Sequence, residues 1–227
     1  MNWFTRLLNY RKRPTFVLIH GFGVRTTNEY DFLVNIFNQR KYPVYCPRLF
    51  DPTDETDDNW NDWLQRAEDA LIKATTKSSN VYLVGYSMGG VIATHLSTKY
   101  SVKKLILLAP AFEYINLSNA TSLITSFVKS DPPVKKTEMP AVFFPEFMSL
   151  VNELRDSVKK VSVPTLIFQG SDDKTISPKV AKKYYKLLPV EEKRLLTIEG
   201  ATHRLIDDVT SKNIIVQLID AFMEDNL

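Results

Sequence analysis

The sequence predicts an α/β fold in which a mostly parallel sheet is covered by helices on both faces. Three observations carry this. Short apolar runs without polar alternation recur at residues 15–20, 81–84, 105–108, 164–168 and 195–198, and such runs mark strands buried on both sides. Stretches with helical spacing of apolar residues lie between them. Glycine is scarce, with seven in 227 residues against the roughly 7% usual in proteins, and each glycine lies at or near the end of a strand-like run. Parallel strands joined by right-handed crossovers send their exit loops to one edge of the sheet. Ligands of such sheets bind there.

Composition bounds the class. At 44% hydrophobic and 24% charged, residues 1–227 form one globular domain with room for an insertion. A formal charge of +3 is too slight to imply a nucleic acid or an anionic membrane as partner. The single Cys46 cannot form an internal disulfide, and no Cys/His cluster has metal-ligand spacing, so the expectation is a cytoplasmic protein without metal or cofactor. Residues 1–13 place Trp3, Phe4, Leu7 and Leu8 at helical spacing beside several arginines. They lack the continuous apolar segment of a signal peptide, and no later run is long enough to cross a membrane. A short amphipathic helix covering the start of the sheet is expected, without stable membrane insertion.

In chain order, the first strand ends at His20 and Gly21-Phe22-Gly23 turns the chain. Phe32, Leu33, Ile36 and Phe37 mark a helix. Residues 42–46 form a second strand, broken by Pro43 and closed by Pro47, which suits a strand near an edge. The acidic stretch from Asp51 to Asp62 reads as a solvated loop whose carboxylates lie at the start of a helix, and that helix carries Trp60, Trp63, Leu64, Ala67 and Leu71 on one face. After the strand at 105–108 the alternation lapses. Residues 112–160 read as an inserted helical lid, with a helical pattern from Phe147 to Val158. Ser177 and Pro178 then start a further helix, and a last one carries Ile214, Ile215, Leu218, Phe222 and Met223.

The stretch from Asn80 to Gly90 concentrates the chemistry. A strand, a tight turn and a helix follow one another, and Gly85-Tyr86-Ser87-Met88-Gly89 sits at the bend. Such a turn holds a serine hydroxyl out over the sheet edge. It also sets the Met88 N–H at a helix N-terminus, where a developing oxyanion is stabilised. Serine needs an adjacent base, and histidine titrates in the right range. His95 falls on an apolar helical face and His20 ends a buried strand, where it orients a turn. His203 lies in a loop after a strand, as a catalytic base would. For the acid, Asp172 and Asp173 are both placed to serve.

Together, His20-Gly21-Phe22-Gly23, Gly85-Tyr86-Ser87-Met88-Gly89-Gly90, Gly170-Ser171-Asp172-Asp173 and Gly200-Ala201-Thr202-His203 resemble the α/β-hydrolase superfamily, and specifically its small bacterial serine carboxylesterases and monoacylglycerol lipases. The resemblance covers nearly the whole chain apart from the lid. It implies the α/β-hydrolase fold with six strands, the chain starting at what resembles the family's third strand. It aligns Asp173 as the acid and implies a catalytic triad of Ser87, Asp173 and His203, with an oxyanion hole from the backbone N–H groups of Phe22 and Met88. The implied activity is hydrolysis of short- to medium-chain carboxylic esters through an acyl-enzyme on Ser87. Monoacylglycerol lipase, thioesterase, acyltransferase, peptidase and carbon–carbon bond hydrolase share the same machinery as alternatives, and a non-catalytic binding module is a further one. Phe127, Phe143, Phe144, Phe147 and Met148 are candidates to wall an acyl pocket, or else pack the lid onto the body. The expected partner is a small-molecule ester; the sequence leaves the oligomeric state open.

Overall fold

The structure, a computed structural model, describes residues 13–23, 25–26, 28–113 and 139–227. The amphipathic stretch expected before residue 13 and most of the lid, including Phe127, lie outside the described residues.

Six parallel strands form one sheet in the order β2-β1-β3-β4-β5-β6. They are β1 (Thr15–Ile19), β2 (Val44–Tyr45), β3 (Val81–Tyr86), β4 (Lys104–Leu108), β5 (Thr165–Gly170) and β6 (Lys193–Ile198). The helices are α1 (Asp31–Gln39), α2 (Trp60–Lys77), α3 (Met88–Ser97), α4 (Phe143–Leu154), α5 (Pro178–Leu187) and α6 (Val209–Met223), with a 3-10 helix at Arg155–Lys160. β1, β3, β4 and β5 are buried along their whole length, as strands covered on both faces must be. β2 is shorter than the sequence suggests: Pro43 and Pro47 lack the N–H that a ladder needs, so two residues remain.

Alternate residues of each strand serve opposite faces. Val17 and Ile19 join a core with Trp63 and Ala67 of α2, Val91 of α3, Phe147 of α4 and Ala181 of α5. Phe16 and Leu18 point the other way, toward Leu33 and Phe37 of α1 and Ile215 and Phe222 of α6. Phe16 stacks on Phe37 with ring centroids 3.8 Å apart.

The helix starts follow their capping residues. Asn59 accepts from Asn61 N–H at α2, Ser177 from Lys179 N–H ahead of Pro178 at α5, and Asp208 from Ser211 N–H at α6. α4 begins four residues before the sequence pattern suggests, at Phe143. Pro145 does not prevent this, because the N–H groups of a first turn have no intrahelical acceptor. In the acidic stretch, Asp51 and Asp54 close turns on Thr53 and Thr56, and Asp57 binds Arg66 and the Asp51 N–H.

Lys104 opens β4 yet is 2% exposed. Its ammonium donates to the Phe222 carbonyl at 2.6 Å, to Glu192 Oε1 at 3.2 Å and to the Asp225 carboxylate, and it lies 4.3 Å from the Phe222 ring centroid.

Candidate active site

At the carboxyl edge of the sheet, the loops leaving β1, β3, β5 and β6 converge. Ser87 occupies the bend between β3 and α3 with φ 53° and ψ −117°. A residue held in such sparsely populated backbone territory costs on the order of 1–3 kcal/mol, so neighbours must enforce it. They do so through the backbone: Ser87 N–H donates to Leu108 O at 2.9 Å, and Ser87 O accepts from Gly90 N–H and Ala111 N–H, each at 3.0 Å. The turn is also tighter than side chains permit. A Cβ on Gly85 would lie 2.3 Å from Gly89 O, and one on Gly89 would lie 2.0 Å from Ile19 O.

His203, in the loop after β6, brings Nε2 to 3.1 Å from Ser87 Oγ and Nδ1 to 2.8 Å from Asp173 Oδ2. All three side chains are buried. Asp173 follows β5, and its carboxylate is fully engaged. Oδ1 accepts from the N–H groups of Thr175 at 2.9 Å and Ile176 at 2.8 Å, while Oδ2 also accepts from Gln169 Nε2 at 2.8 Å. Of the two adjacent aspartates, then, Asp173 faces the imidazole. Asp172 is exposed and accepts from Ser171 Oγ.

The turn after β1 is organised by His20. Its Nε2 accepts from Leu49 N–H at 2.9 Å, which leaves the proton on Nδ1 to donate to Gly21 O at 2.7 Å. Burial pushes His20 down to about 4, so the ring is neutral at physiological pH. Because a trans peptide is planar with its C=O and N–H opposed, fixing the Gly21 carbonyl fixes the direction of the Phe22 N–H. At the other candidate donor, Met88 is the first residue of α3, where the helix itself offers its N–H no acceptor.

Of the apolar residues picked out in the sequence, Phe147 and Phe143 are both buried. Phe147 stacks on Phe22 at 4.5 Å, and Phe143 stacks on Trp63 at 5.5 Å. Phe144 and Met148 are partly buried against the same core. Of these four, Phe147 alone touches a residue of the turn after β1 through an aromatic stack among the described residues. His95, on α3, makes a hydrogen bond to Ser157 Oγ at 2.9 Å and stands apart from Ser87 and Asp173.

Two participants carry no signal in the sequence. Gln169 lies within β5 and reads as an ordinary strand residue. Tyr86 reads as the variable position of the serine motif, yet its hydroxyl donates to the His203 carbonyl at 3.1 Å. The strand that presents Ser87 thus also holds the backbone of the histidine loop.

Comparison with known proteins bears on the family and the fold. The model of the family described as serine aminopeptidase, S33 matches residues 10–130 and 123–210. Lipase 1 of Psychrobacter immobilis is 25% identical over 82% of this chain and 70% of its own length. Monoglyceride lipase of Rattus norvegicus is 26% identical over 55% of this chain, which spans about half of that protein at 52%. Among solved structures, one from the metagenome-derived lipolytic enzymes LipS and LipT superposes with a TM-score of 0.78 over 94% of both chains at 19% identity. At that identity the likeness concerns the fold.

Proposed function

The chain belongs to the serine aminopeptidase S33 family of α/β-hydrolases, and from that premise we propose that it is a carboxylesterase acting on short- to medium-chain esters through an acyl-enzyme on Ser87. At the coarser level it is a serine hydrolase of the esterase and lipase kind, as its relatives are. One observation supports the acyl-enzyme mechanism in this reading. The unbroken hydrogen-bond chain runs from Ser87 Oγ through both nitrogens of His203 to Asp173.

In this reading Ser87 Oγ attacks the ester carbonyl while His203 Nε2 takes its proton, forming a tetrahedral adduct. The negative oxygen is met by the N–H groups of Phe22 and Met88. Collapse expels the alcohol, protonated by His203, and leaves the acyl group on Ser87. A water molecule deprotonated by His203 then releases the acid and restores the serine. Asp173 holds the Nδ1–H tautomer and stabilises the imidazolium at each stage. The side chains of Phe143, Phe144, Phe147 and Met148 form the apolar side of the acyl site, and α4, which carries them, belongs to its lid. No helix among the described residues is long and apolar enough to cross a membrane.

The test is hydrolysis of p-nitrophenyl esters from acetate to palmitate, and of a monoacylglycerol in parallel, by wild type and Ser87→Ala. Turnover that peaks at short or medium chains and is lost in the variant is the expected result. Preference for the monoacylglycerol would move the assignment to the activity named for the rat relative. A folded wild type that turns over none of these would remove the esterase reading.

A further inference from the structure

Behind the turn that carries Phe22 lies a cluster of charges that the reaction above does not use. Glu29 Oε2 accepts from the Gly21 N–H at 2.6 Å. Arg25, on the same loop, donates through Nη1 to Asp207 Oδ1 at 2.7 Å, and Arg204 Nε donates to the other oxygen of Asp207. Arg204 directly follows His203 in the chain. These groups, with Phe22, Gly23, Tyr86 and Ile206, line a small, half-open cavity of about 20 Å³. The charges are thus gathered into a small chamber between the loop after β1 and the loop after β6, across 182 positions of sequence between Arg25 and Asp207.

The arrangement constrains Gly21 from two sides. His20 takes its carbonyl and Glu29 takes its N–H, so the peptide planes before and after the residue are both held, and the second of these planes carries the Phe22 N–H. We propose that Glu29 is a positioning residue for oxyanion stabilisation: together with Arg25, Asp207 and Arg204 it forms a charged strap that keeps the Phe22 N–H in register with the His203 loop. The inference rests on the assignment of Phe22 as an oxyanion donor. Burial pushes the Glu29 carboxyl up to about 7, against the Gly21 N–H and Arg25, which pull it down. Arg25, Arg204, Asp207, Tyr86, Tyr30 and Cys46 are the titratable groups whose charges act on it or feel it.

The experiment measures the second-order rate at which a fluorophosphonate labels Ser87, together with kcat and KM for the best ester, in Glu29→Ala and Glu29→Gln. Labelling passes through the same developing oxyanion yet does not depend on knowing the substrate. Glu29→Ala is expected to lower labelling rate and kcat by about 10- to 100-fold, the range for misplacing a reacting group or weakening an oxyanion donor, with KM within threefold. Glu29→Gln, whose amide oxygen still accepts from Gly21, is expected to recover most of that loss. A merely structural role would lower the melting temperature of both variants and leave kcat per labelled site unchanged. Should Glu29→Ala fail to fold, Asp207→Asn tests the strap from its other end and is expected to slow labelling about tenfold. Labelling at the wild-type rate in a folded Glu29→Ala, or in Asp207→Asn where that variant stands in, overturns the inference alone. A wild type that is not labelled at Ser87 overturns the serine-hydrolase mechanism and this inference with it.

Discussion

Gln169 donates to the same oxygen of Asp173 that His203 contacts: Nε2 of the amide and Nδ1 of the imidazole each lie 2.8 Å from Asp173 Oδ2. The carboxylate is therefore held by a residue of the strand it follows before it meets the histidine. Asp173→Asn is expected to lower kcat by about 10⁴, because an amide presents the imidazole with the wrong tautomer. Gln169→Leu removes only the brace, and a drop of about tenfold is expected from the loosened orientation. Initial rates on a single p-nitrophenyl ester decide both; equal rates for Gln169→Leu and wild type would show that the two backbone N–H donors suffice.

Two glycines should respond to very different degrees to the same substitution. Gly89→Ala puts a carbon 2.0 Å from Ile19 O, a backbone atom of a central strand that cannot step aside. That variant is expected not to accumulate as folded protein. At Gly200, where φ is +70° and a Cβ meets nothing within 4 Å, alanine pays only for its left-handed backbone, about 1–2 kcal/mol. Urea midpoints of wild type and Gly200→Ala measure the second effect, and soluble yield reports the first.

Stability should depend on pH through two buried groups of opposite sign. His20 falls from 6.5 to about 4 on folding, mainly through desolvation. The unfolded chain therefore binds its proton first, and this contribution is lost as pH falls from about 6.5 toward 4. Glu29 rises from 4.5 to about 7, again mainly through desolvation. Here the folded chain keeps the proton longer, so stability declines as pH rises from about 4.5 toward 7. The two slopes oppose each other between pH 4.5 and 6.5. Denaturation midpoints measured across that interval should climb more steeply with pH in Glu29→Gln than in wild type, and fall with pH in His20→Asn.

Phe147 links packing to specificity. Its ring stacks on Phe22 and is buried in the core, so Phe147→Ala should cost about 3–5 kcal/mol of stability, as such truncations do. If α4 borders the acyl site, the space opened beside Phe22 should shift the ester-length optimum upward. An unchanged chain-length profile in a folded variant would assign the ring to packing only.

Much of the fold was legible because its signals are local. Uninterrupted apolar runs mark β1, β3, β4 and β5, proline confines β2, and Ser177-Pro178 starts α5. Ser87 and His203 stood out for the same reason, each set in a loop just past the end of an apolar run, whereas local signals left Asp172 and Asp173 both open and the family resemblance aligned Asp173. What escaped depends on partners distant in sequence. Gln169 differs in no local way from other strand residues, Glu29 lies in a polar loop like many others, and Arg25 acquires a role only when Asp207 arrives beside it. Lys104 was hidden differently: at the start of an apolar strand a lysine reads as the edge of the run, and its cover comes from the far end of the chain.

That cover gives the carboxyl terminus an electrostatic duty. The buried Lys104 ammonium has the Phe222 carbonyl and the carboxylates of Glu192 and Asp225 as neighbours, so the tail after α6 supplies a counter-charge to the first residue of β4. A chain cut just after Met223 would keep the carbonyl and lose that carboxylate. Trimming what looks like a dispensable tip would therefore leave a buried cation at the start of β4 with less to neutralise it.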